Sequence, residues 1–290
     1  MMSKSITRTV LFASVLFLGS CGSGSGSLEA DLSLALSPYQ VLDLTTGTMT
    51  GRISVPDIQT NVAYRQNLMV FRLIPSGNTA VGTATGSLGA GIDPTAGQTS
   101  VSAFYCAVFE VTQGQWSFLS GGGSQPWASV VSVPAAPSLG STSTDDELPA
   151  FAVSTDLLTV ALASHNTGKA YRLEIPTGIQ WERACRSGTS TSFFWGSNPN
   201  DRTTAANYAV VHETAQGLNG PQKVGERLPN AFGLFDTHGN VWEITNEGLT
   251  TTIRGGSWRD PLSLSRAAYG VGIDQFTRHA LVGARLVLVP

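Results

Sequence analysis

PNAFGLFDTHGNVWE, residues 229–243, combines glycines, aromatic residues and two carboxylates in one turn-rich segment. Its glycines permit positive φ, so the chain can fold back on itself while the aromatic side chains point into a core. Such a loop can surround Ca²⁺, which takes about six to eight oxygen ligands. The candidate ligands are the side chains of Asp236 and Glu243 and the carbonyls of Gly239 and Val241. The alternative is a glycine-rich aromatic turn without metal, and local composition leaves both open.

Seven other segments extend the pattern in both directions along the chain. They are FRLIPSG (71–77), FYCAVFEVTQGQW (104–116), LPAFAVSTDLL (148–158), YRLEIPTGIQWERACRSGT (171–189), FFWG (193–196), RGGSW (254–258) and GARLVL (283–288). With the central loop, this series resembles the formylglycine-generating-enzyme-like domain, also called the sulfatase-modifying-factor family, a variant of the C-type lectin fold. A match in family order over about 220 residues is hard to produce by chance. The resemblance implies a loop-rich α+β domain with few helices at residues 68–290.

The N-terminal residues predict export and lipid anchoring. Residues 1–20 have a basic start and an apolar run too short to span a bilayer, which indicates a signal peptide. Small residues precede Cys21, an arrangement that resembles a bacterial lipobox, and residues 21–27 then form a Gly/Ser tether. An ordinary signal peptide with an incidental cysteine is the alternative. We expect a lipoprotein of the bacterial cell envelope, at the outer membrane or cell surface.

The overall composition limits the classes of partner. Of the 290 residues, 41% are hydrophobic and 13% are charged, with a formal net charge of −3, so the chain can build a core but offers no basic field for nucleic acid. The remaining polar residues are mainly Ser, Thr and Gly. We therefore expect no nucleic-acid partner, and membrane attachment only through lipid.

Local signals predict the main elements. Residues 28–67 contain β-prone runs and should form a small β extension docked on the main domain. We expect strands at 68–74, 101–111 and 280–289. Three helices should begin after the caps Thr112, Ser154 and Thr177, with the second running from Thr155 to Ala163. Residues 189–252 are mostly loops, which need something to hold them in place; a bound ion is one such element.

The residues expected for catalysis are missing. Copper enzymes of the family carry two cysteines at positions that correspond here to Asp260 and Ser265. Carboxylate and hydroxyl oxygens are too hard to form the bis-thiolate Cu(I) site, so we expect no copper and no formylglycine chemistry. The histidines lack zinc or iron spacing, and Cys106 and Cys185 are either a disulfide or buried thiols.

The family resemblance also implies positions for calcium. The better-supported site corresponds to the four residues of the central loop named above. A second, weaker site corresponds to Asn207, Tyr208, Gln216 and Leu218, where Gln216 replaces an acidic ligand and lowers the charge. Calcium in either site would be structural.

A ligand-binding face is expected between the RGGSW segment and the last strand, because loops on a rigid scaffold commonly carry binding residues. This arrangement also resembles the variable proteins of diversity-generating retroelements, which include surface lipoproteins. The candidate contact residues are Trp258, Arg259, Asp260, Leu264, Tyr269, Asp274, Phe276, His279 and Leu281. Trp258 and its neighbours are expected to be exposed and to tolerate substitution. A fixed surface without diversification is the alternative.

These observations favour a surface-anchored lipoprotein that binds an external protein or glycan and catalyses no reaction. Two other functions stay open. One is an oxidoreductase or modifying enzyme of the same family with an unrecognised metal site, and the other is a structural envelope lipoprotein.

Overall fold

The structure is a computed structural model that describes residues 37–123, 125–129, 145–215, 220–248 and 250–290. The predicted signal peptide, Cys21, the predicted tether and the first residues of the predicted extension lie outside this part of the chain. Within the described ranges, no helix is both long and apolar enough to cross a membrane.

The described chain combines twelve strands with four α-helices and three short 3₁₀ turns. The strands are β1 (Tyr39–Asp43), β2 (Met49–Arg52), β3 (Leu68–Ile74), β4 (Gly77–Val81), β5 (Gly97–Val101), β6 (Phe104–Ala107), β7 (Arg172–Glu174), β8 (Trp242–Asn246), β9 (Thr251–Arg254), β10 (Gly270–Ile273), β11 (Val282–Gly283) and β12 (Val287–Val289). The helices are α1 (Gln113–Leu119), α2 (Thr155–Asn166), α3 (Gly178–Arg186) and α4 (Arg202–Tyr208). The 3₁₀ turns are Val62–Arg65, Pro126–Ser129 and Leu262–Leu264. This is the loop-rich α+β architecture that the sequence predicts.

The strands form three sheets. A six-stranded antiparallel sheet has the order β2-β1-β3-β6-β12-β7, and a four-stranded sheet has the order β10-β9-β8-β11. Strands β4 and β5 form a separate two-stranded sheet. The C-terminal chain joins the two larger sheets, because β11 pairs in parallel with β8 and β12 pairs between β6 and β7.

The predicted N-terminal extension is part of the main sheet. Its two strands form the expected hairpin, but β1 pairs along its whole length with β3, with Tyr39 opposite Arg72. Val41 and Leu42 are buried and point to opposite faces of the strand, so the hairpin completes the core on both sides. The extension therefore continues the sheet, which differs from the separate docked layer expected from the sequence.

The three predicted helices form where their caps indicate. Thr112 and Thr177 each cap a helix through a complete capping box, with Gln115 and Gln180 as the third residues. Ser154 caps α2, which ends at Asn166, beyond the predicted end. Helix α4 was not predicted, although Asp201 caps it by accepting a hydrogen bond from the Thr204 backbone N–H.

Two of the predicted strands are divided. The apolar run 101–111 contains the end of β5 and all of β6, and the C-terminal run 280–289 contains β11 and β12. The residues between β11 and β12 include Arg285, whose side chain is buried and reaches Glu243. On either side of Arg285, the carbonyls of Ala284 and Leu286 accept backbone hydrogen bonds from Val111 and Ala107.

Buried ion pairs fix the long loops of residues 189–252 and their neighbours. Arg186 pairs with Glu182 at 2.7 Å, Arg266 with Asp93 at 2.5 Å, and Arg285 with Glu243 at 2.7 Å. All six side chains are at most 4% exposed.

Candidate functional site

The turn between β9 and the 3₁₀ turn Leu262–Leu264 forms the centre of the predicted site. Gly255 and Gly256 both have positive φ, and a Cβ on Gly256 would lie 2.1 Å from the Ser265 Oγ. Only glycine fits this position, because both the backbone conformation and the close packing exclude a side chain. The turn brings Ser257 and Asp260 beside the end of β8.

Asp260 is held by hydrogen bonds at the position of the family's first copper cysteine. Its Oδ2 accepts hydrogen bonds from the Trp242 Nε1, at 2.8 Å, and from the Ser257 hydroxyl. Its carbonyl oxygen accepts from the His212 backbone N–H at 2.9 Å. Asp260 therefore joins three separate segments, which is a structural role that a carboxylate performs well.

Ser265, at the second copper-cysteine position, is buried beside His238. The Ser265 carbonyl lies 2.5 Å from the His238 Nδ1, which assigns the ring proton to Nδ1 as donor. The Nε2 then accepts from the Phe194 backbone N–H at 3.3 Å and lies 3.4 Å from the Cys185 Sγ. Burial lowers the pKa of His238 to about 4, so this imidazole is neutral at physiological pH.

The two cysteines of the described chain are free and buried. Burial raises the pKa of the Cys106 thiol to about 12 and raises that of Cys185 further in the same direction. Both are therefore protonated thiols at neutral pH, whereas copper needs thiolates. Cys106 and Cys185 therefore do not form the disulfide that the sequence left open.

The predicted calcium ligands engage other partners. Glu243 accepts from Arg285 through both carboxylate oxygens at 2.7 to 3.1 Å, and its Oε2 also accepts from the Trp181 Nε1 at 2.6 Å. Three N–H groups bind this carboxylate, and two of them belong to the Arg285 guanidinium, which neutralises its charge. The Oδ2 of Asp236 accepts from the Gly225 N–H at 2.7 Å. This arrangement does not fit a calcium cage that includes Glu243.

The second predicted calcium site is only partly described. Asn207 and Tyr208 lie at the end of α4, exposed and half-buried respectively, while Gln216 and Leu218 lie outside the described residues. Over the ranges that the structure describes, no group of three or more His, Cys, Asp or Glu residues could hold a metal ion.

Glu110 is a buried acid that the sequence interpretation missed. Its Oε1 accepts from the Val241 N–H at 3.1 Å, and its Oε2 accepts from the Asn240 Nδ2 at 2.6 Å. Burial, together with the nearby carboxylates of Asp236 and Glu243, raises its pKa well above the usual range. A glutamate inside the apolar run FYCAVFEV was the available signal, because a charged residue is rarely buried without a partner.

The predicted ligand-contact residues fall into three groups by exposure. Asp274, Phe276 and His279 are exposed; Arg259, Asp260, Leu264 and Tyr269 are half-buried; Trp258 and Leu281 are buried. Trp258 is only 9% exposed and packs in the largest hydrophobic cluster, so the expectation that it is a solvent-exposed residue is wrong. Its backbone N–H donates to the Asn240 carbonyl at 2.8 Å, which holds it against the central loop.

The exposed residues lie on a loop, residues 274–279, with a fixed backbone. The Phe276 N–H donates to the Asp274 Oδ1 at 2.8 Å, and the Gln275 carbonyl accepts from the Asp156 N–H at 3.0 Å. Arg278 donates to the carbonyls of Ala152 and Pro126 at 3.2 and 2.7 Å. The loop therefore presents Phe276, which is 62% exposed, from a rigid support.

A polar groove of about 440 Å³ lies apart from the predicted contact residues. It is lined by Gln59, Arg65, Glu147, Lys223, Val224, Gly225 and Glu226. Lys223 pairs with Glu147 at 2.8 Å and with Asp145 at 3.2 Å, and Arg65 lies 3.6 Å from Glu147. The cations of this groove thus face acids of the same chain.

Comparison with known proteins identifies the family to which the sequence is similar and the structures with a similar fold. The profile of the family described as "Sulfatase-modifying factor enzyme 1-like domain" matches residues 57–289. The formylglycine-generating enzyme of Mycobacterium tuberculosis is 35% identical over 77 residues, which cover 24% of this chain and 26% of that protein. The enzyme of Mus musculus is 32% identical over 83 residues, 26% of this chain and 22% of that protein. The alignments thus span about a quarter of these relatives.

Two solved structures have a similar fold over most of the chain. PvdO from Pseudomonas aeruginosa has a TM-score of 0.66 at 20% identity and covers 76% of this chain and 94% of its own. Treponema denticola variable protein 1 has a TM-score of 0.58 at 20% identity, and the match covers 77% of this chain and 96% of that protein. At this identity, the similarity concerns the fold alone.

Proposed function

Because the chain belongs to the sulfatase-modifying factor enzyme 1-like family, whose profile covers residues 57–289, we propose that it is a binding member of that family without oxidase chemistry. Its ligand is an external protein or glycan. Binding occurs on the rigid loop 274–279 and on the half-buried candidate contact residues that precede it in the chain, which together we call the loop face. This face consists of Arg259, Asp260, Leu264, Tyr269, Asp274, Phe276 and His279.

The observation that carries the proposal is the exposed Phe276 on a loop with a fixed backbone. A large aromatic side chain that stays in water costs free energy, about 25 cal/mol for each Å² of apolar surface, and a partner that covers it recovers that energy. The hydrogen bonds of Asp274, Gln275 and Arg278 hold the loop before binding, so little conformational entropy is lost on association.

The two former copper positions support a non-catalytic role. The Asp260 carboxylate is occupied by Trp242 and Ser257, and the Ser265 side chain is buried. Both side chains carry hard oxygen atoms, so neither can replace a soft thiolate ligand of copper. The described residues contain no cluster that would favour the alternative of an enzyme with another metal site.

Anchoring through Cys21 belongs to the same proposal. A lipid on this residue, followed by the Gly/Ser tether 22–27, would hold the domain at the bacterial envelope and leave the loop face free to meet an external partner. Labelling of the cellular protein with an alkyne fatty acid tests this step, with Cys21→Ser as the comparison. Labelling that persists in the variant would contradict it.

Only some of residues 259–281 could be diversified without loss of stability. Trp258, which directly precedes this range, and Leu281, its last residue, are buried in the core, so free variation there would alter stability. The exposed residues Asp274, Phe276 and His279 could change without that penalty. Sequencing this region in many isolates would show variation confined to the exposed residues if the face is diversified.

The test of binding uses the purified full chain on a glycan array and on immobilised extracellular matrix and envelope proteins. We expect saturable binding to one class, reduced about tenfold or more by Phe276→Ala. Val160→Ala is the matched control, because Val160 is 63% exposed on α2, outside the loop face. Binding that is equally sensitive to both variants, or absent from every surface, would contradict the proposal and favour a structural lipoprotein.

A further inference from the structure

Strands β4 and β5 are joined by a long loop, residues 82–96. Val81 pairs with Gly97, so the loop begins and ends at adjacent positions of one hairpin. A backbone hydrogen bond from the Thr83 N–H to the Pro94 carbonyl, at 2.8 Å, closes its base. A surface loop of this length whose ends meet is an Ω-loop, a class that is frequently functional.

The tip of this Ω-loop has a fixed backbone. The N–H groups of Ile92 and Asp93 both donate to the Gly89 carbonyl, at 3.0 and 2.9 Å. Within the loop, the Thr83 hydroxyl donates to the Asp93 Oδ2 at 2.7 Å. The Ile92 side chain is nevertheless 75% exposed. The Ω-loop therefore holds a large aliphatic side chain in water on a rigid turn.

A buried ion pair connects this turn to segment 262–269, which carries part of the loop face. Arg266 donates to both carboxylate oxygens of Asp93, at 2.8 and 2.5 Å, and the two side chains are 4% and 0% exposed. The same guanidinium lies over the Tyr269 ring, 4.7 Å from its centroid, and donates to the Ser263 carbonyl. Arg266 therefore holds the Ω-loop and Tyr269 in one arrangement.

An apolar contact supports the ion pair. Leu88 of the Ω-loop packs against the hydrophobic cluster that contains Leu262. Leu262 begins the 3₁₀ turn that ends at Leu264, a residue of the loop face. Ile92 directly precedes the aspartate of the ion pair, so the two contacts together place the Ile92 side chain beside the loop face.

We propose that the Ω-loop 82–96 is a second segment of the binding face, with Ile92 as its contact residue, and that this face binds a protein. The inference rests on the proposed binding function and narrows its ligand from protein or glycan to protein. In this arrangement, the Ω-loop contacts the partner beside Leu264 and Tyr269, and the loop 274–279 contacts it through Phe276.

The chemistry of Ile92 favours a protein over a glycan. Apolar side chains of a protein partner stabilise the complex when they cover this aliphatic surface. The hydroxyl groups of a glycan would instead lose hydrogen bonds to water there without gaining others.

The area of the face points to the same partner. A stable protein interface takes about 20 residues or more from each side, which is more than the loop face supplies alone. The Ω-loop adds contact area from a support that is already rigid, so its addition costs little conformational entropy.

The test places the purified full chain on the glycan array and on the immobilised extracellular matrix and envelope proteins, including fibronectin, laminin and collagen. We expect saturable binding to a protein, weakened about tenfold or more by Ile92→Asp, because a carboxylate would then be buried in an apolar contact. Ile53→Asp is the matched control, since Ile53 is 86% exposed and directly follows β2, outside the binding face. Melting temperatures verify that both variants fold.

A second measurement is independent of these variants. Hydrogen exchange of the full chain, free and bound to that immobilised protein, should slow in two regions, residues 86–93 and 274–279. Slowing in 274–279 alone, or equal effects of the two aspartates, would overturn the inference.

The proposed binding function can stand when this inference fails. Binding that is weakened by Phe276→Ala but not by Ile92→Asp, or binding to glycans alone, would overturn the inference and leave that function intact. Absence of binding to every surface would contradict the proposed function itself and the inference with it.

Discussion

Arg285 and Glu243 form a buried bidentate ion pair, with 2.7 Å between Nη2 and Oε1 and 3.0 Å between Nε and Oε2. Both side chains are 1% exposed. Arg285 also donates to the carbonyls of Ala107, Val108 and Phe235, so it connects β6, the central loop and the C-terminal chain. The family's GARLVL segment is therefore explained by this arginine as well as by its apolar residues.

Removal of one partner should destabilise the fold strongly. Glu243→Gln leaves a buried guanidinium without its counter-charge, and we expect the free energy of unfolding to fall by about 3–5 kcal/mol. The comparison is Glu174→Gln in the exposed pair with Arg172, which should cost less than about 1 kcal/mol. Denaturant unfolding measures both, and similar losses in the two variants would show that the buried pair has no special role.

Calcium should leave stability unchanged. Its predicted ligand Glu243 already pairs with the Arg285 guanidinium and accepts a hydrogen bond from the Trp181 Nε1. We expect the same melting temperature for the full chain in millimolar Ca²⁺ and in chelator, whereas binding at a hundredfold excess over Kd would add about 2.7 kcal/mol. A chelator-sensitive shift that disappears in Asp236→Asn would restore the calcium site suggested by the family resemblance.

The pH dependence of stability should report the ionisation of the Asp236 carboxyl. Burial raises the pKa of this carboxyl to about 6 from 3.8. A raised acid pKa contributes stability that is complete below pH 3.8 and is lost as the pH rises through about 6. Asp236→Asn removes this contribution and also the charge that helps to raise the pKa of Glu110, and asparagine suits the φ of 58° there. We expect the variant to gain about 2 kcal/mol relative to the parent between pH 4 and pH 7.5.

Denaturant unfolding at both pH values measures this gain. Measuring the variant against the parent cancels the opposite contribution of His238, whose lowered pKa of about 4 costs stability as the pH falls below 6.5. A difference that stays constant with pH, or that changes in the opposite direction, would show that Asp236 is ionised in the folded protein over this range.

Formylglycine production should be absent. Asp260 and Ser265 stand at the two copper-cysteine positions, and the thiols of Cys106 and Cys185 are buried with raised pKa values. Incubation with Cu(I) and a CxPxR peptide should leave the peptide mass unchanged, with the Mycobacterium tuberculosis formylglycine-generating enzyme as the active control. Formation of the aldehyde would refute the non-catalytic role.

Local signals in the sequence were sufficient for three of the four described helices but not for the site. The capping boxes at Thr112 and Thr177 use residues three positions apart, so they are readable from the sequence. The pairs Glu243–Arg285 and Asp93–Arg266 join residues 42 and 173 positions apart. Nothing local in the sequence indicates such partners, and this is why Glu243 was interpreted as a free ligand for calcium.

The exposure of the residues of the proposed loop face also could not be predicted from local signals. In the segment RGGSW, the glycines indicate a turn, but the direction of the following side chain depends on the backbone of Asn240, which binds the Trp258 N–H. Strand β10 was missed because its two glycines weaken the β-strand pattern. Tertiary contacts decide which residues of this region face the solvent.

Trp258 and His279 should respond in opposite ways to truncation. Trp258 is 9% exposed within the largest hydrophobic cluster, so Trp258→Ala leaves a cavity, and we expect the free energy of unfolding to fall by about 3–5 kcal/mol. His279 is exposed, and His279→Ala should stay within about 0.5 kcal/mol of the parent. If Trp258→Ala unfolds at the same denaturant concentration as the parent, the indole is not part of the core, and the original expectation of an exposed contact residue would return.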